Sequence, residues 1–337
     1  MVKAPDISIV IPTLNSQRTL EVCLESISRQ KYEGKLEIII ADGGSSDSTV
    51  KIAKKYGARI VLNKLKTGES GKAVGARNAE GDIIAFIDSD NVLPGFDWLK
   101  RMVVPFGDKD IIASEPIIFG YNKKDHWLTR YFALLGMGDP INLFLGNYDH
   151  FSYISGKWTE LPIKYKENKS YITLLLNRIL PTIGANGFMI RSSELKSYLD
   201  KDYLFDIDIL KEMIRDRGEI RIAKVKLEII HLFSGNINTF VRKQKRRIRD
   251  LLYYRSQGIR YLQLDKTRLI WGTLKFVIAT LVVVPLFLQV LAGYLKKNDT
   301  AWLFHPLACW LTLIVYTWET IRFGFIKENF DRVGWKQ

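Results

Sequence analysis

Residues 83–91 read Ile-Ile-Ala-Phe-Ile-Asp-Ser-Asp-Asn. Five apolar residues run without a break into two carboxylates separated by one serine. A short continuous apolar run bounded by turn residues suits a strand covered on both faces, as in a parallel sheet. At the carboxyl end of such a strand, Asp88 and Asp90 suit a hard divalent cation that also holds phosphate oxygens. By itself an Asp-x-Asp more often marks a plain turn, so its weight comes from the segments around it.

Toward the N-terminus the pattern repeats. Ile7–Ile11 reads as a first strand, followed by a helix from a capping Ser16 to about Gln30. Leu36–Ala41 is a second strand, and a helix follows from about Asp47 to Tyr56. Arg59–Leu62 is a third strand, and a helix around Gly71 to Ala79 leads into the fourth, Ile83–Ile87. Beyond it, Phe96 to Val104 reads as helix and Ile111–Ile118 as extended. Strands alternating with helices predict an α/β body, Rossmann-like, with a mainly parallel sheet and flanking helices. Ligands of such sheets bind beyond the carboxyl ends of the strands, so the chemistry belongs in the loops after Ile11, Ala41 and Ile87. The loop after the second strand, Asp42-Gly43-Gly44-Ser45-Ser46-Asp47-Ser48-Thr49, has two glycines that permit close backbone approach to a ligand. Asp42 can accept hydrogen bonds from a base or a ribose, whereas Asp47 reads as a helix N-cap.

Four ordered segments carry a resemblance: IVIPTLN (9–15), ADGGSSDST (41–49), GKAVGARNAEGD (71–82) and IDSDN (87–91). Together they resemble family 2 glycosyltransferases of the GT-A fold over roughly residues 6–120. The resemblance implies that Asp42 recognises the nucleobase, with Pro12, Leu14, Asn15 and Gly43 around the donor. It implies that Asp88 and Asp90 serve the metal and diphosphate, Asp90 being the direct ligand, and that Lys72 and Arg77 contact phosphate. The segment Gly184-Ala185-Asn186-Gly187-Phe188-Met189-Ile190-Arg191 is similar to the family's Gly-rich stretch before its acceptor helix. In that frame Asp206 aligns with the general base and Asp208 is the alternative, although Phe205 stands where the family carries Glu. His231, after an expected edge strand, would approach the metal or diphosphate. Gln244-Lys245-Arg246-Arg247-Ile248 resembles the Gln-x-x-Arg-Trp element of processive polysaccharide synthases, with Ile248 in place of Trp. On that basis Arg242, Gln244, Lys245, Arg246 and Arg247 are the expected acceptor or lipid-phosphate contacts.

The 337 residues carry a formal net charge of +14, and residues 242–268 hold ten Lys/Arg against two Asp. More than half of the excess therefore lies in 27 residues. Cys23 and Cys309 are far apart, which argues against a disulfide scaffold or a structural zinc site. Mean hydropathy is −0.03, but that average conceals two apolar runs, Phe276 to Leu295 and Ala301 to Trp318. Each approaches the roughly 20 residues needed to span a bilayer, so a C-terminal two-helix transmembrane hairpin is predicted. The basic block before it reads as an amphipathic helix in an anionic headgroup layer, and no nucleic-acid reader motif accompanies it. The first apolar run, Ile7–Ile11, is too short for a signal-peptide core. The expected organisation is a GT-A catalytic domain over 1–234, a basic amphipathic interfacial region over 235–268, the hairpin over 269–326 and a cytoplasmic tail over 327–337. By the positive-inside rule the chain belongs to the cell membrane with its catalytic domain cytoplasmic. Residues 121–181 are rich in aromatics and match no motif.

The expected activity is that of a membrane-anchored inverting glycosyltransferase. It would move a sugar from a UDP- or GDP-linked donor to a polyprenyl phosphate or a lipid-linked saccharide, with Mn²⁺ or Mg²⁺. Resemblance to dolichol-phosphate mannose synthases favours the first acceptor and Asp206 the second. The competing readings are a processive polysaccharide synthase and a non-catalytic membrane-surface adaptor.

Overall fold

The computed structural model describes residues 4–184, 186–200, 202–204, 206–233, 235–256 and 266–325. Ala185, Phe205, part of the basic block (257–265) and the expected tail with Lys327, Arg332 and Lys336 lie outside the described residues. The chain divides into two compact units, one formed by residues 1–121 and 161–232, the other by 122–160 and 233–337.

The first unit is built on one sheet. Its strands are β1 (Ile7–Thr13), β2 (Leu36–Asp42), β3 (Arg59–Leu62), β4 (Ile83–Phe86), β5 (Asn91–Val92), β6 (Ile111–Gly120), β7 (Lys164–Glu167), β8 (Tyr171–Leu176), β9 (Phe188–Arg191) and β10 (Ile220–His231). They lie in the order β3-β2-β1-β4-β9-β6-β10-β8-β7, with β5 pairing β10. The β1, β2, β3 and β4 pairings are parallel, as the apolar runs imply. The sheet as a whole is mixed, not mainly parallel. β9 enters antiparallel between β4 and β6, and β8 and β7 complete the far side antiparallel to β10. Residues 121–181 thus hold a hairpin, β7–β8, that the sequence reading did not find. β10 was expected at an edge and instead lies inside the sheet, between β6 and β8.

Helices α1 (Gln17–Ser28), α2 (Thr49–Lys55), α3 (Gly68–Arg77) and α4 (Trp98–Met102) connect the first six strands. Ile9, Ile11, Leu20, Leu24, Ile40, Ile87 and Trp98 share one core. The N-cap of α2 is Ser48, while Asp47 Oδ1 accepts from Thr49 N at 2.9 Å. α3 opens on a full capping box in which Thr67 and Ser70 satisfy each other's backbone. Gly75 lets α3 press on β1, because a Cβ there would lie 2.2 Å from Val10 Cγ1.

In the second unit, α5 (Trp127–Leu135) and α6 (Ile141–Leu145) pack with α9 (Ile237–Ser256), α10 (Lys266–Val282), α11 (Val284–Lys296) and α12 (His305–Phe325), while α7 (Ser192–Leu195) and α8 (Asp206–Arg217) belong to the first. The unread aromatics serve this packing. Trp127 and Tyr131 lie against Phe304 with centroids at 4.7 and 5.2 Å, and Phe144 lies 5.3 Å from Phe276. The first apolar run is not one straight helix. α10 and α11 meet at 96°. Pro285 has no N–H for the preceding turn and its ring excludes a continuing helix, and Val283 turns the corner with φ of +68°, costly for a β-branched residue. Among the described residues one helix, Thr300–Gly324, is by itself long and apolar enough to cross a membrane.

Replacing Gly75 by Ala should add about 1 kcal/mol of helix propensity and lose about 1–3 kcal/mol to overpacking against Val10. The expected result is a lower thermal midpoint. Combined with Val10→Ala, the loss should fall below the sum of the two single losses, because the two sites touch.

Candidate active site

The carboxyl ends of β1, β2 and β4 bring three loops together. Register places Thr13 beside Asp42, and Thr13 Oγ1 donates to Asp42 Oδ1 at 2.9 Å. Gly44 N and Ser45 N donate to Oδ2 at 2.9 and 2.8 Å, and Ser45 Oγ to Oδ1 at 2.6 Å. Burial alone would raise this carboxyl, but the donors from Ser45, Thr13 and Gly44 outweigh it and hold Asp42 below the usual range. Asn15, at φ +51°, ties the β1 loop to the β2 loop: its N donates to Ser45 Oγ at 2.8 Å and its Oδ1 accepts from Ser46 N at 2.9 Å. Leu14 is exposed beside Gly43, where a Cβ would come within 3.3 Å of the Leu14 side chain. Pro12 abuts Gly71 of α3, where a Cβ would meet it at 2.8 Å.

Asp88 and Asp90 sit in a tight turn. Asn91 Oδ1 accepts from Asp88 N at 3.0 Å, and Asn91 N donates back to Asp88 O at 2.9 Å. Pairing of β5 with β10 sets His231 opposite Asn91 and brings His231 Nε2 to 3.3 Å from Asp90 Oδ2. Asp88 is raised, first by burial and further by Asp90, with Lys72 and His231 opposing. No cluster of three His, Cys, Asp or Glu that could hold a metal occurs among the described residues. That donor set still fits a cation of the Mg²⁺ type, which takes one or two carboxylates from the protein and the rest from water and substrate phosphates.

The structure joins two residues the sequence reading kept apart. Lys72 Nζ donates to Asp206 Oδ2 at 2.5 Å, with both side chains about one-tenth exposed. Lys72 also lies 5.7 Å from the Phe86 ring centroid and is coupled to Asp88 and Glu69. Burial would lower the ammonium, but Asp206 and Asp88 prevail and raise it. Asp206 Oδ1 is buried and has no hydrogen-bond partner among the described residues. Burial, opposed by Lys72, pushes the Asp206 carboxyl up to about 6.

Asp206 is pressed into place from behind. Gly184, at φ +108°, leaves room for it, since a Cβ there would lie 2.2 Å from Asp206 Cβ. Gly184 N donates to Glu115 Oε1 at 2.9 Å, and Glu115 Oε2 accepts from Lys224 Nζ at 2.5 Å. Neither Glu115 nor Lys224 has any exposed side chain. Asn186 Oδ1 accepts from Asn91 Nδ2 at 2.9 Å, so this turn also braces the Asp88–Asp90 loop. Glu115, Lys224, Asn91 and Glu69 were missed. The charges in the first two were visible inside apolar strands, but their partners were not.

Other expected residues lie elsewhere. Arg77 donates to Leu199 O at 3.0 Å from the exposed end of α3. Asp208 follows Asp206 by two residues on the first turn of α8, about 200° around the helix. In the second unit Gln244 is buried and donates to Gly138 O at 3.2 Å, and Arg247 donates to the same carbonyl. Lys245 lies 3.5 Å from Glu319, whereas Arg242 and Arg246 are exposed.

Residues 8–179 match the sequence profile of Glycosyl transferase family 2. An N-acetylglucosaminyltransferase of Bradyrhizobium elkanii is 31% identical over 134 residues, 37% of this chain and 73% of that protein. A PGL/p-HBAD biosynthesis glycosyltransferase of Mycobacterium tuberculosis is 34% identical over 35% of this chain and half of that one. Matches to N-acetylglucosaminyltransferases of Mesorhizobium japonicum and Bradyrhizobium diazoefficiens span only 31% and 28% of those proteins. Among solved structures, a mannosyltransferase from Pyrobaculum calidifontis, in complex with GDP-Man and Mn²⁺, superposes with a TM-score of 0.52 over 94% of this chain and 88% of that one, at 14% identity. At that identity the likeness is one of fold.

Replacing Lys72 by Met removes the cation that opposes burial at Asp206. The Asp206 carboxyl should then titrate about 1–3 units higher, a shift that carboxyl-labelled NMR across pH 4–9 would register.

Proposed function

The chain belongs to glycosyl transferase family 2, and from that premise we propose that it transfers a sugar, with inversion, from a nucleotide-linked donor to a hydroxyl of a lipid-linked saccharide at a membrane surface. The observation that carries this reading is Asp206: a buried carboxylate with one oxygen on Lys72, the other without a partner among the described residues, and a pKa pushed up to about 6. A base poised near the working pH is what removal of a hydroxyl proton needs.

In this reading the acceptor oxygen attacks the anomeric carbon. The bond from that carbon to the diphosphate oxygen breaks, the diphosphate leaves with the bonding pair, and the hydroxyl proton passes to Asp206 Oδ1. Lys72 keeps Asp206 ionised and oriented. The loops after β1 and β2 form the donor side, with Asp42 holding the Gly43–Ser45 turn in shape and Leu14 exposed beside it. Asp90, with His231 beside it and Asp88 in the same turn, would hold a divalent cation; when bound, the cation neutralises charge on the leaving diphosphate. The GDP-Man and Mn²⁺ held by the Pyrobaculum protein support a nucleotide-sugar and a divalent cation without naming the sugar used here. Exposed Arg242 and Arg246 and the apolar helices beside them support work at an anionic membrane surface.

The deciding assay incubates membranes holding the protein with labelled nucleotide-sugars and Mn²⁺ or Mg²⁺, followed by analysis of the lipid extract. Absence of transfer from every donor, with native lipids present, would sink the reading, and a polymer product would replace it with a processive synthase. Asp90→Ala should abolish the cation dependence together with the activity; unchanged activity would point to an adaptor. Asp206→Asn should lower turnover about 10²- to 10⁴-fold and leave the donor KM near that of the parent. A polyprenyl phosphate acceptor is already an anion with no proton to lose, so undiminished turnover in Asp206→Asn would favour it. Because Asp206 must be ionised to act, its raised pKa places the acid limb at about 6: the rate should rise with pH up to that point and level off above it.

A further inference from the structure

We propose that α10, α11 and α12 dock on a single leaflet of an anionic phospholipid bilayer and that none of them crosses it. This rests on the membrane reading above and replaces the two-span hairpin expected from the apolar runs.

The first observation concerns where the bent pair begins and ends. At its start, Arg268 Nη1 donates to Leu145 O at 3.3 Å, and Gly272 packs so closely that a Cβ would lie 2.8 Å from Leu145. At its end, Lys296 Nζ donates to Ile154 O at 3.0 Å, and Asp299 pairs with Arg130 at 3.0 Å. Both ends are held by the same stretch, residues 130–154. That stretch buries Asn147, Asp149, His150 and Ser152 and is flanked by exposed Lys124 and Lys157. Polar backbone and side chains of this kind do not lie across a hydrocarbon core of about 30 Å. The pair therefore enters and leaves on one side. Its second limb, 13 residues long, would in any case reach only about 20 Å.

The second observation concerns α12. Just before it, Phe304 meets Phe240 of α9 with centroids 5.6 Å apart, and further along it Glu319 Oε2 accepts from Arg249 Nε of α9 at 2.6 Å. The stretch of α9 between these contacts, nine residues or about 13 Å of helix, carries exposed Arg242 and Arg246. Such charges are strongly disfavoured at a bilayer centre. A helix tied to α9 at both points stays with it at the surface.

The third observation is that the faces are inverted. In α12 the buried stripe is polar, with His305, Thr312 and Glu319 nearly inaccessible, while Leu307, Ile314 and Trp318 are exposed. α10 and α11 likewise expose Trp271, Ile278, Phe287 and Leu291. Apolar faces turned outward beside exposed arginines match the acyl boundary and anionic headgroups of one leaflet.

The test uses the full chain in sealed vesicles prepared from expressing cells. Lys124→Cys, Asn298→Cys and Gly324→Cys, all at exposed positions, are each treated with a membrane-impermeant maleimide before and after detergent. The parent chain, whose Cys23 and Cys309 are buried, gives the background. Single-leaflet docking predicts that all three positions label together, or are protected together, according to vesicle orientation. Opposite behaviour of Asn298→Cys and Lys124→Cys would make α10–α11 a span; opposite behaviour of Gly324→Cys would make α12 one. Either result overturns the proposal while leaving the membrane reading intact. Flotation of the purified chain with phosphatidylcholine–phosphatidylserine vesicles separates the two: absence of flotation, with a stable dimer in solution, would assign the apolar faces to a second copy and sink the membrane reading itself. Arg242→Gln combined with Arg246→Gln should weaken binding to these vesicles about 20- to 30-fold; unaltered binding would remove the charge argument.

Discussion

The buried Lys72–Asp206 ion pair is the constraint around which the first unit is arranged. It joins α3 to α8 across 134 residues of sequence. Taking either charge out of water is costly, and a pair offsets that cost only when its remaining hydrogen-bonding capacity is also met. Here it is met on one side alone, because Asp206 Oδ1 has no partner among the described residues. Burial therefore wins, and the carboxyl sits near about 6 in spite of the lysine 2.5 Å away. A fold tolerates a group destabilised in this way only where its surroundings over-determine it. The capping box at Thr67 fixes the start of α3, and Gly184 fits against Asp206 with no space for a side chain. Strongly shifted groups that are also held rigidly mark functional sites.

A second buried pair, Glu115–Lys224, shows the contrast. It lies between adjacent parallel strands with the two residues in register, wholly inside the sheet. Glu115 divides its oxygens between Lys224 and Gly184 N. Removal of one partner from such a pair typically costs 3–5 kcal/mol, so Gly184 hangs from one of the less yielding points of the unit. The pull passes from the sheet interior to the turn and from the turn to the back of Asp206. Asn186 and Asn91 extend it to the Asp88–Asp90 loop. Asp206 and the Asp88–Asp90 loop, far apart in sequence, are thereby held to one another through Gly184 and Asn186.

Much of this was legible, and the residues show why. β1 to β4 are short runs of Ile and Val ended by polar loops, so local pattern alone marks them. Asp42, Asp88 and Asp90 follow from strand ends; Thr13, which donates to Asp42, was not singled out. What escaped depends on pairing between distant segments. β9 reads as another apolar run after glycines, and nothing in Phe188–Arg191 announces that it enters antiparallel between two parallel neighbours. β10 mixes Arg, Lys and Glu with Ile, the pattern of a half-exposed edge strand. Inside the sheet Lys224 is neutralised by Glu115, a partner 109 residues away. Asp206 was found by alignment with the acceptor helix, and Lys72 as a phosphate contact. Their union could not be read from either segment.

The two-span reading of the C-terminal helices is not shown by the structure, for a different reason. Counting uncharged residues measures whether a segment is long enough to span a bilayer; it is silent about which face the polar atoms share. In α12 the residues His305, Cys309, Thr312, Tyr316 and Glu319 recur at steps of four, three, four and three, which places them on one stripe of a helix. A stripe of that kind in a lipid-embedded helix must find partners inside the protein. Most of it does: Tyr131 meets His305 at 2.8 Å, Asp139 accepts from Tyr316, and Arg249 meets Glu319, while Thr312 Oγ1 has no hydrogen-bond partner among the described residues. These partners come from α5, from α9, which is rich in Lys and Arg, and from the turn before α6. The apolar stripe left outward, with arginines next to it, is the face that the single-leaflet proposal sets against the acyl boundary and headgroups. The break at Val283–Pro285 fits the same constraint, because a helix that continued straight from Lys266 would carry Lys296 away from Ile154, the carbonyl that holds it.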